Sequence, residues 1–361
     1  MTRRRLLLGL LAGVSLLAVV MLPVGWHRFS ASLQPPLAQP VEVDVAKGLS
    51  IDQVGVLLEQ SGAVSWRWWF VLLVKLEADG MVQAGEYRFE AGDTLSRIIA
   101  KMRQGQTIQH RLTIPEGLTV ADIARLLELS GWDQAEEIIE QPDLLKQIGT
   151  SPRLSLEGIL FPDTYFFRRG DTTIDLLKRM VRKGEQILNH EWDSRAVELL
   201  PPTLDRYQAL IVASMIEKEA KRSDERARIA AVFYNRMKRN MKLQSDPTVL
   251  YGHTGFSGPI TRQILKSDTP YNTYVNHGLP PTPICNPGQA AIHAALHPEV
   301  SDYLYFVARG DGSHSFAKTL AEHQRFVALY QKTSHKNTLE LPALPDIPPA
   351  AIHQNGADDK N

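Results

Sequence analysis

At 361 residues the chain has room for one large or two ordinary domains and an anchor. Its 40 basic residues balance 40 acidic ones, so nothing in the charge argues for a nucleic-acid partner. The single cysteine, Cys285, excludes an internal disulfide and a CxxC motif, and reads as a packed small hydrophobe.

Arg3-Arg4-Arg5 precedes an uncharged, mostly apolar run from Leu6 to Trp26. That length matches the ~20 residues a spanning helix needs. Arginines before the run, and none immediately after it, keep the N-terminus in the cytoplasm and export the rest. Trp26 stands where an interfacial aromatic would. A cleaved signal peptide is the rival, but no Ala-x-Ala site follows, and Pro23-Val-Gly-Trp26 lacks small-residue chemistry. The arginines also resemble a twin-arginine signal, whose remaining pattern is poor. The expectation is a cytoplasmic tip over 1–5, a single uncleaved transmembrane helix over 6–26, and a linker over 27–40 containing Pro35-Pro36.

Three similar units follow. Val41-Glu-Val-Asp-Val45 alternates as a strand should and leads to Gly48-Leu-Ser-Ile-Asp. The pattern returns at Gly92-Asp-Thr-Leu and at Gly117-Leu-Thr-Val-Ala-Asp. Each Gly turn precedes a Ser or Thr able to cap the next helix. Gly85–Phe89 and Gln109–Ile114 read as strands, so small β-turn-helix units are expected over 41–130. Trp66-Arg-Trp-Trp-Phe70 lies on a helix running to about Leu76. Such a cluster stacks on sugars or, more commonly, packs in a core or at a membrane interface.

Ala135 to Ile148 is an acidic helical stretch. Glu157-Gly-Ile-Leu-Phe-Pro-Asp-Thr-Tyr165 is loop or turn, and its Glu157 and Tyr165 suit hydrogen bonds to sugar hydroxyls. Thr173 to Trp192 is an amphipathic helix. Gln208 to Lys221 is apolar nearly all round, which is the mark of a buried helix. Yet it ends in Glu217-Lys-Glu219. Desolvation there would raise a carboxyl's proton affinity and make it a usable acid. The plain alternative is a solvated last turn. Spacing does not choose between the acids: at ~100° per residue they point to opposite, equally mixed faces.

Ser223-Asp224-Glu225 caps the next helix, whose core stripe is Ile229, Val232, Phe233 and Met237. Met241 to Tyr251 is a loop with Pro247, and its Gln244, Ser245 and Asp246 are short polar groups before the turn. Tyr271-Asn-Thr-Tyr274 and Gly278-Leu-Pro-Pro-Thr-Pro-Ile284 are rigid loop. Gln289–Leu296 is a helix, Asp302–Ala308 and His314–Phe316 are partner strands, and Thr319–Lys332 is the last helix. Four prolines after Thr338 mark a disordered tail over 336–361.

Ala213-Ser-Met-Ile-Glu-Lys-Glu219, Leu243-Gln-Ser-Asp-Pro-Thr-Val-Leu-Tyr-Gly252, Tyr271-Asn-Thr-Tyr274, Gly278–Ile284 and Asn286-Pro-Gly288 occur in that order, after Glu157–Tyr165. Together they resemble the endolytic murein transglycosylase family, also called MltG or YceG-like, from the N-terminal segment to about Tyr330. The resemblance implies an α+β fold with an N-terminal transmembrane helix, a small LysM-like β/α subdomain and a larger mixed α+β catalytic domain over 131–335. It makes Glu217 the catalytic acid. It implies peptidoglycan glycan strands as substrate and peptidoglycan synthases as partners. It places the enzyme at the inner membrane with its catalytic domain in the periplasm. The LysM-like region is either a glycan binder or a spacer.

A glycan-cleaving hydrolase normally needs two carboxylates. A lytic transglycosylase uses the C6 hydroxyl of muramic acid as its nucleophile, so one Glu serves as acid and then base. Glu217 takes that role. Glu157, Tyr165, Gln244, Ser245, Asp246, Tyr271 and Asn272 are the candidate substrate-binding residues, and Glu219 reads as a structural or ion-pair residue. Were Asp224 or Asp246 to work with Glu217, water would attack and the enzyme would be a muramidase. A non-catalytic glycan-binding scaffold is the other class. No cofactor or metal is expected: His293-Ala-Ala-Leu-His297 has ligand spacing but lacks the Glu of H-E-x-x-H. Gly255-Phe-Ser-Gly258 is not a serine-hydrolase elbow.

Overall fold

The computed structural model describes residues 35–76, 81–141, 143–149, 155–253 and 260–330. The expected membrane segment over 6–26 and the tail over 336–361 lie outside them. Among the described residues no helix is long and apolar enough to cross a membrane.

The chain divides into two compact units. The first runs to Arg111 and takes back Phe166–Asp171; the second holds Leu112–Tyr165 and the chain from Thr172 onward. In the first unit β1 (Val41–Val45) pairs antiparallel with β2 (Gly85–Phe89), Val43 opposite Tyr87. Between them lie α1 (Ile51–Gln60) and α2 (Arg67–Leu76), and α3 (Leu95–Gln104) follows. Alternation buries Val43, Val45, Tyr87 and Phe89 against Val54, Leu58, Phe70, Ile98 and Met102. Ser50 and Thr94 cap α1 and α3 as their sequence positions require. The tryptophan cluster splits: Trp69 is buried, whereas Trp66 and Trp68 are each 51% exposed.

β3 (His110–Thr113) pairs with β4 (Thr164–Phe167), and the division between the units falls within both strands. By sequence pattern the third β-turn-helix segment goes with the first two. Its helix α4 (Val120–Leu129) belongs instead to the second unit, because the Gly117 amide donates to Asn286 O and the Asn286 amide to Leu118 O. The acidic stretch after it forms two short helices, α5 (Ala135–Ile139) and α6 (Leu144–Gln147).

The second unit is built on α8 (Arg206–Glu219), where every residue from Ala209 to Ile216 is buried. It packs against α7 (Thr173–Asp193), α9 (Arg226–Lys238), α10 (Asp246–Tyr251) and α11 (Gln289–Leu296). A hairpin of β5 (Tyr305–Ala308) and β6 (His314–Ala317) and the helix α12 (Leu320–Tyr330) complete it.

Two local expectations change. Residues 246–251 are helix, not loop, because Pro247 falls in the first turn, where the missing N–H is no loss. Ser223–Glu225 is a 3-10 turn with no side-chain cap on α9. Glu225 is instead engaged by His314, whose amide donates at 2.9 Å and whose Nδ1 lies 2.8 Å away.

Candidate active site

α8 delivers its last turn between two glycine loops. Gly117, at φ +78°, would bring a Cβ within 3.7 Å of Glu217 Cγ. On the other side the amide of Gly288, the N-cap residue of α11, donates to Glu217 Oε2 at 3.1 Å. Arg226 Nη2 lies 3.9 Å from Glu217 Oε1, and the two side chains are 15% and 8% exposed. Lys218 donates to Gly117 O at 3.2 Å. Burial raises the proton affinity of Glu217 above the usual carboxylate value, and that outcome survives the Gly288 amide, Arg226 and Lys218, which oppose it. Glu116 pushes in the same direction as burial. The result is a largely desolvated carboxyl with one amide donor and a cation nearby, suited to giving a proton and then holding the negative charge.

The remaining candidates fall into two groups. Glu157 is 3% exposed; it accepts from the Val120 amide at the start of α4, from Asn286 Nδ2 at 3.1 Å and from the Tyr251 hydroxyl at 3.0 Å. Burial pushes it up to about 7. Tyr251 packs edge-on against Tyr271, whose hydroxyl is paired with Thr282. The buried Cys285 thiol lies within the field of both Glu157 and Glu217. Cys285 itself packs as a small core residue on Ser214 O.

The second group surrounds Glu219. Its Oε1 accepts from Ser245 at 2.6 Å, and burial pushes its carboxyl up to about 7. Asp246 accepts from Tyr274 at 2.6 Å. Gln244, exposed and in the left-handed region at φ +51°, places its Oε1 3.3 Å from Arg236 Nη1. Asn272 is fully buried and spends both ends on its own loop, donating to Leu265 O and Ser267 O and accepting from the Tyr274 amide. Tyr165 donates to Phe161 O at 2.7 Å, away from either group.

Asp224 is held by Arg222 at 3.0 Å and Asp246 by Tyr274, so neither stands as partner to Glu217. The acid beside Glu217 is Glu116, which sequence reasoning missed. Its only local signal was its place next to the Gly117 turn. A third set of donors, Glu191, His293 and His297, gathers within 4.8 Å. His293 Nδ1 is 2.7 Å from Glu191 Oε2, His297 Nε2 is 2.7 Å from Ser194 O, and the rings stack at 4.1 Å. The cluster is a hydrogen-bonded corner of α7 and α11.

The YceG-like family model matches residues 43–329. An endolytic murein transglycosylase of Bacillus subtilis (strain 168) is 32% identical over 323 residues, covering 83% of this chain and 89% of that protein. Another, from Streptococcus pneumoniae serotype 2, is 30% identical over 322 residues; the match spans 80% of this chain and 58% of the streptococcal protein. The crystal structure of a yceG-like protein from Listeria monocytogenes aligns with a TM-score of 0.54 at 32% identity, over 80% of this chain and 98% of that one.

Proposed function

The chain belongs to the YceG-like family, and we propose that it is a peptidoglycan lytic transglycosylase with Glu217 as its single acid and base. The bond cleaved is the β-1,4 bond from MurNAc to GlcNAc, inside nascent strands. Glu217 gives its proton to the leaving GlcNAc O4 as the MurNAc C1–O4 bond breaks. The MurNAc O6 closes on C1, and the Glu217 carboxylate takes the O6 proton. No water is consumed, the strand ends in 1,6-anhydroMurNAc, and elongation stops there.

One observation carries this reading: a carboxyl at the end of a wholly buried helix segment, 8% exposed, with burial favouring its protonated form. Gln244, Asp246 and Tyr271 orient the glycan on this reading. Glu157, Tyr165, Ser245 and Asn272, engaged by protein groups, shape the loops around it. The first unit is the LysM-like part. The segment over 6–26 anchors the enzyme in the inner membrane with its N-terminus cytoplasmic, where peptidoglycan synthases would be its partners.

Glu217→Gln keeps size and hydrogen bonding but cannot donate the proton. Release of anhydromuropeptides from purified glycan strands should fall by about 10²–10⁴-fold with the fold intact. Full retained activity would remove Glu217 from the chemistry, and strand binding without any cleavage by the wild type would favour a scaffold. The nearness of Glu116 supplies a hydrolase with its second carboxylate. Product mass decides between them, since an anhydro end lacks one water.

A further inference from the structure

Gly288 has two carboxyl groups on it. Its amide binds Glu217 Oε2, and the Glu116 side chain lies over its α-carbon, in the space a Cβ would need. The contact involves the Glu116 Oε1, Cδ and Cγ atoms together, so the side chain lies along the glycine rather than touching it at the tip. Gly288 is itself buried, whereas Glu116 is exposed. The Glu116 loop is fixed to this place by the bonds between Gly117, Leu118 and Asn286, and by Lys218 on Gly117 O. A charged side chain is thus held beside the acid by backbone, with a bare glycine as its seat.

We propose that Glu116 is a positioning residue for this reaction, acting on Glu217 across Gly288. The inference rests on the transglycosylase reading of Glu217. Two anionic carboxylates so placed repel, so the ionised Glu116 favours Glu217 in its proton-bearing form. The other charged groups facing Glu217 are Arg226 from α9 and Lys218 from its own helix, and both act the opposite way. Glu116 therefore opposes those two cations and adds to the burial that already raises the proton affinity of Glu217. It touches no reacting atom on this account, and a neutral isostere should leave the chemistry running wherever Glu217 is protonated.

The test is the pH dependence of kcat/KM for anhydro-end formation by the full chain on purified uncrosslinked glycan strands. Glu116→Gln should match wild type on the acid side and lose about three- to tenfold on the alkaline side, since removing a like charge lets the proton leave earlier. Glu116→Asp should restore much of the alkaline rate. A Glu116→Gln profile that overlays wild type overturns the proposal. Loss at every pH also overturns it, and would make Glu116 a participant in bond cleavage. Glu217→Gln run in parallel separates the two ideas: its retained activity defeats the function reading, whereas an inactive Glu217→Gln beside an unaltered Glu116→Gln defeats this one alone. Carbon-13 NMR titration of the Glu217 carboxyl reads the same coupling without turnover. The midpoint should fall in Glu116→Gln, and an unmoved midpoint overturns the proposal.

Discussion

Ser245 donates its hydroxyl to Glu219 Oε1 at 2.6 Å, and that bond ties the last turn of α8 to the start of α10. The serine is 1% exposed and its amide donates to Thr273 Oγ1, so its hydroxyl has a fixed direction. The second glutamate of the triplet thus holds the loop that follows α9, while the first faces the glycine loops. Ser245→Ala strips a buried carboxyl of its donor. The expected loss is about 1–3 kcal/mol. A lower urea midpoint at unchanged slope would record it, and an unchanged midpoint would mean the bond contributes nothing.

Glu157 and Glu219 give stability a definite pH dependence. Burial lifts each to about 7 from the ordinary 4.5. Between those values the folded chain binds more protons than the unfolded chain, so stability falls as pH rises from about 4.5 to about 7 and levels above. Carboxylates held low act at the other end. Burial alone would raise Asp93, but the Lys101 hydrogen bond and charge, the Glu90 amide and Arg97 together hold it low, and its contribution disappears as pH drops below the ordinary value. Melting temperature against pH should therefore decline across the neutral approach. Glu157→Gln and Glu219→Gln should each flatten that decline, gaining on wild type from pH 4.5 to 7. Parallel curves for variant and wild type would contradict the assignment.

Arg226 tests the electrostatics of Glu217 from the other side. Its guanidinium favours the ionised carboxylate, so removing it raises the proton affinity of Glu217 further. Its Nε is buried without a hydrogen-bond partner among the described residues, so truncation strands no acceptor there. Arg226→Met should move the alkaline limb of the activity profile to higher pH, opposite in sign to Glu116→Gln. It should also lower the plateau, because the base step loses the cation that stabilises the carboxylate. A limb displaced toward acid would show that Arg226 acts by some other route.

How much of this was legible follows from range. Thr119 caps α4 and Asp205 caps α8 through bonds only three residues long, so short patterns announce such helix starts. The apolar run to Ile216 announced a buried helix for the same reason. Glu116 could not be found that way. Its neighbour Glu217 is 101 positions on and its seat Gly288 is 172 on, and nothing in Pro115-Glu-Gly117 encodes either. Glu157 read as a sugar contact because loop carboxylates commonly face solvent. Its donors come from Val120, Tyr251 and Asn286, which only the folded chain assembles. Glu225 read as a cap by position, yet its partner is His314, 89 residues away. Short-range hydrogen bonding is written locally, and the site is made by what is not.

Gly184 sets two local rules against each other. It lies in the middle of α7, where alanine is intrinsically better by about 1 kcal/mol. However, a Cβ there would come within 2.6 Å of Ile159 O and 3.4 Å of Phe161 Cβ. The first obstacle is backbone and cannot rotate aside. That backbone is also closely packed at Gly158, which at φ +87° has Pro283 within 2.6 Å of where a Cβ would stand. The segment carrying Glu157 is therefore clamped, and α7 would have to move away as a unit. Overpacking of this kind typically costs about 1–3 kcal/mol, and a backbone obstacle places it at the upper end. Gly184→Ala should thus destabilise on balance despite the gain in helix propensity, lowering the melting temperature. It should also weaken hydrogen-exchange protection at the Val120 amide, whose acceptor Glu157 rides on the displaced segment. A raised melting temperature with that amide still protected would mean the close contact relaxes freely and the clamp does not exist.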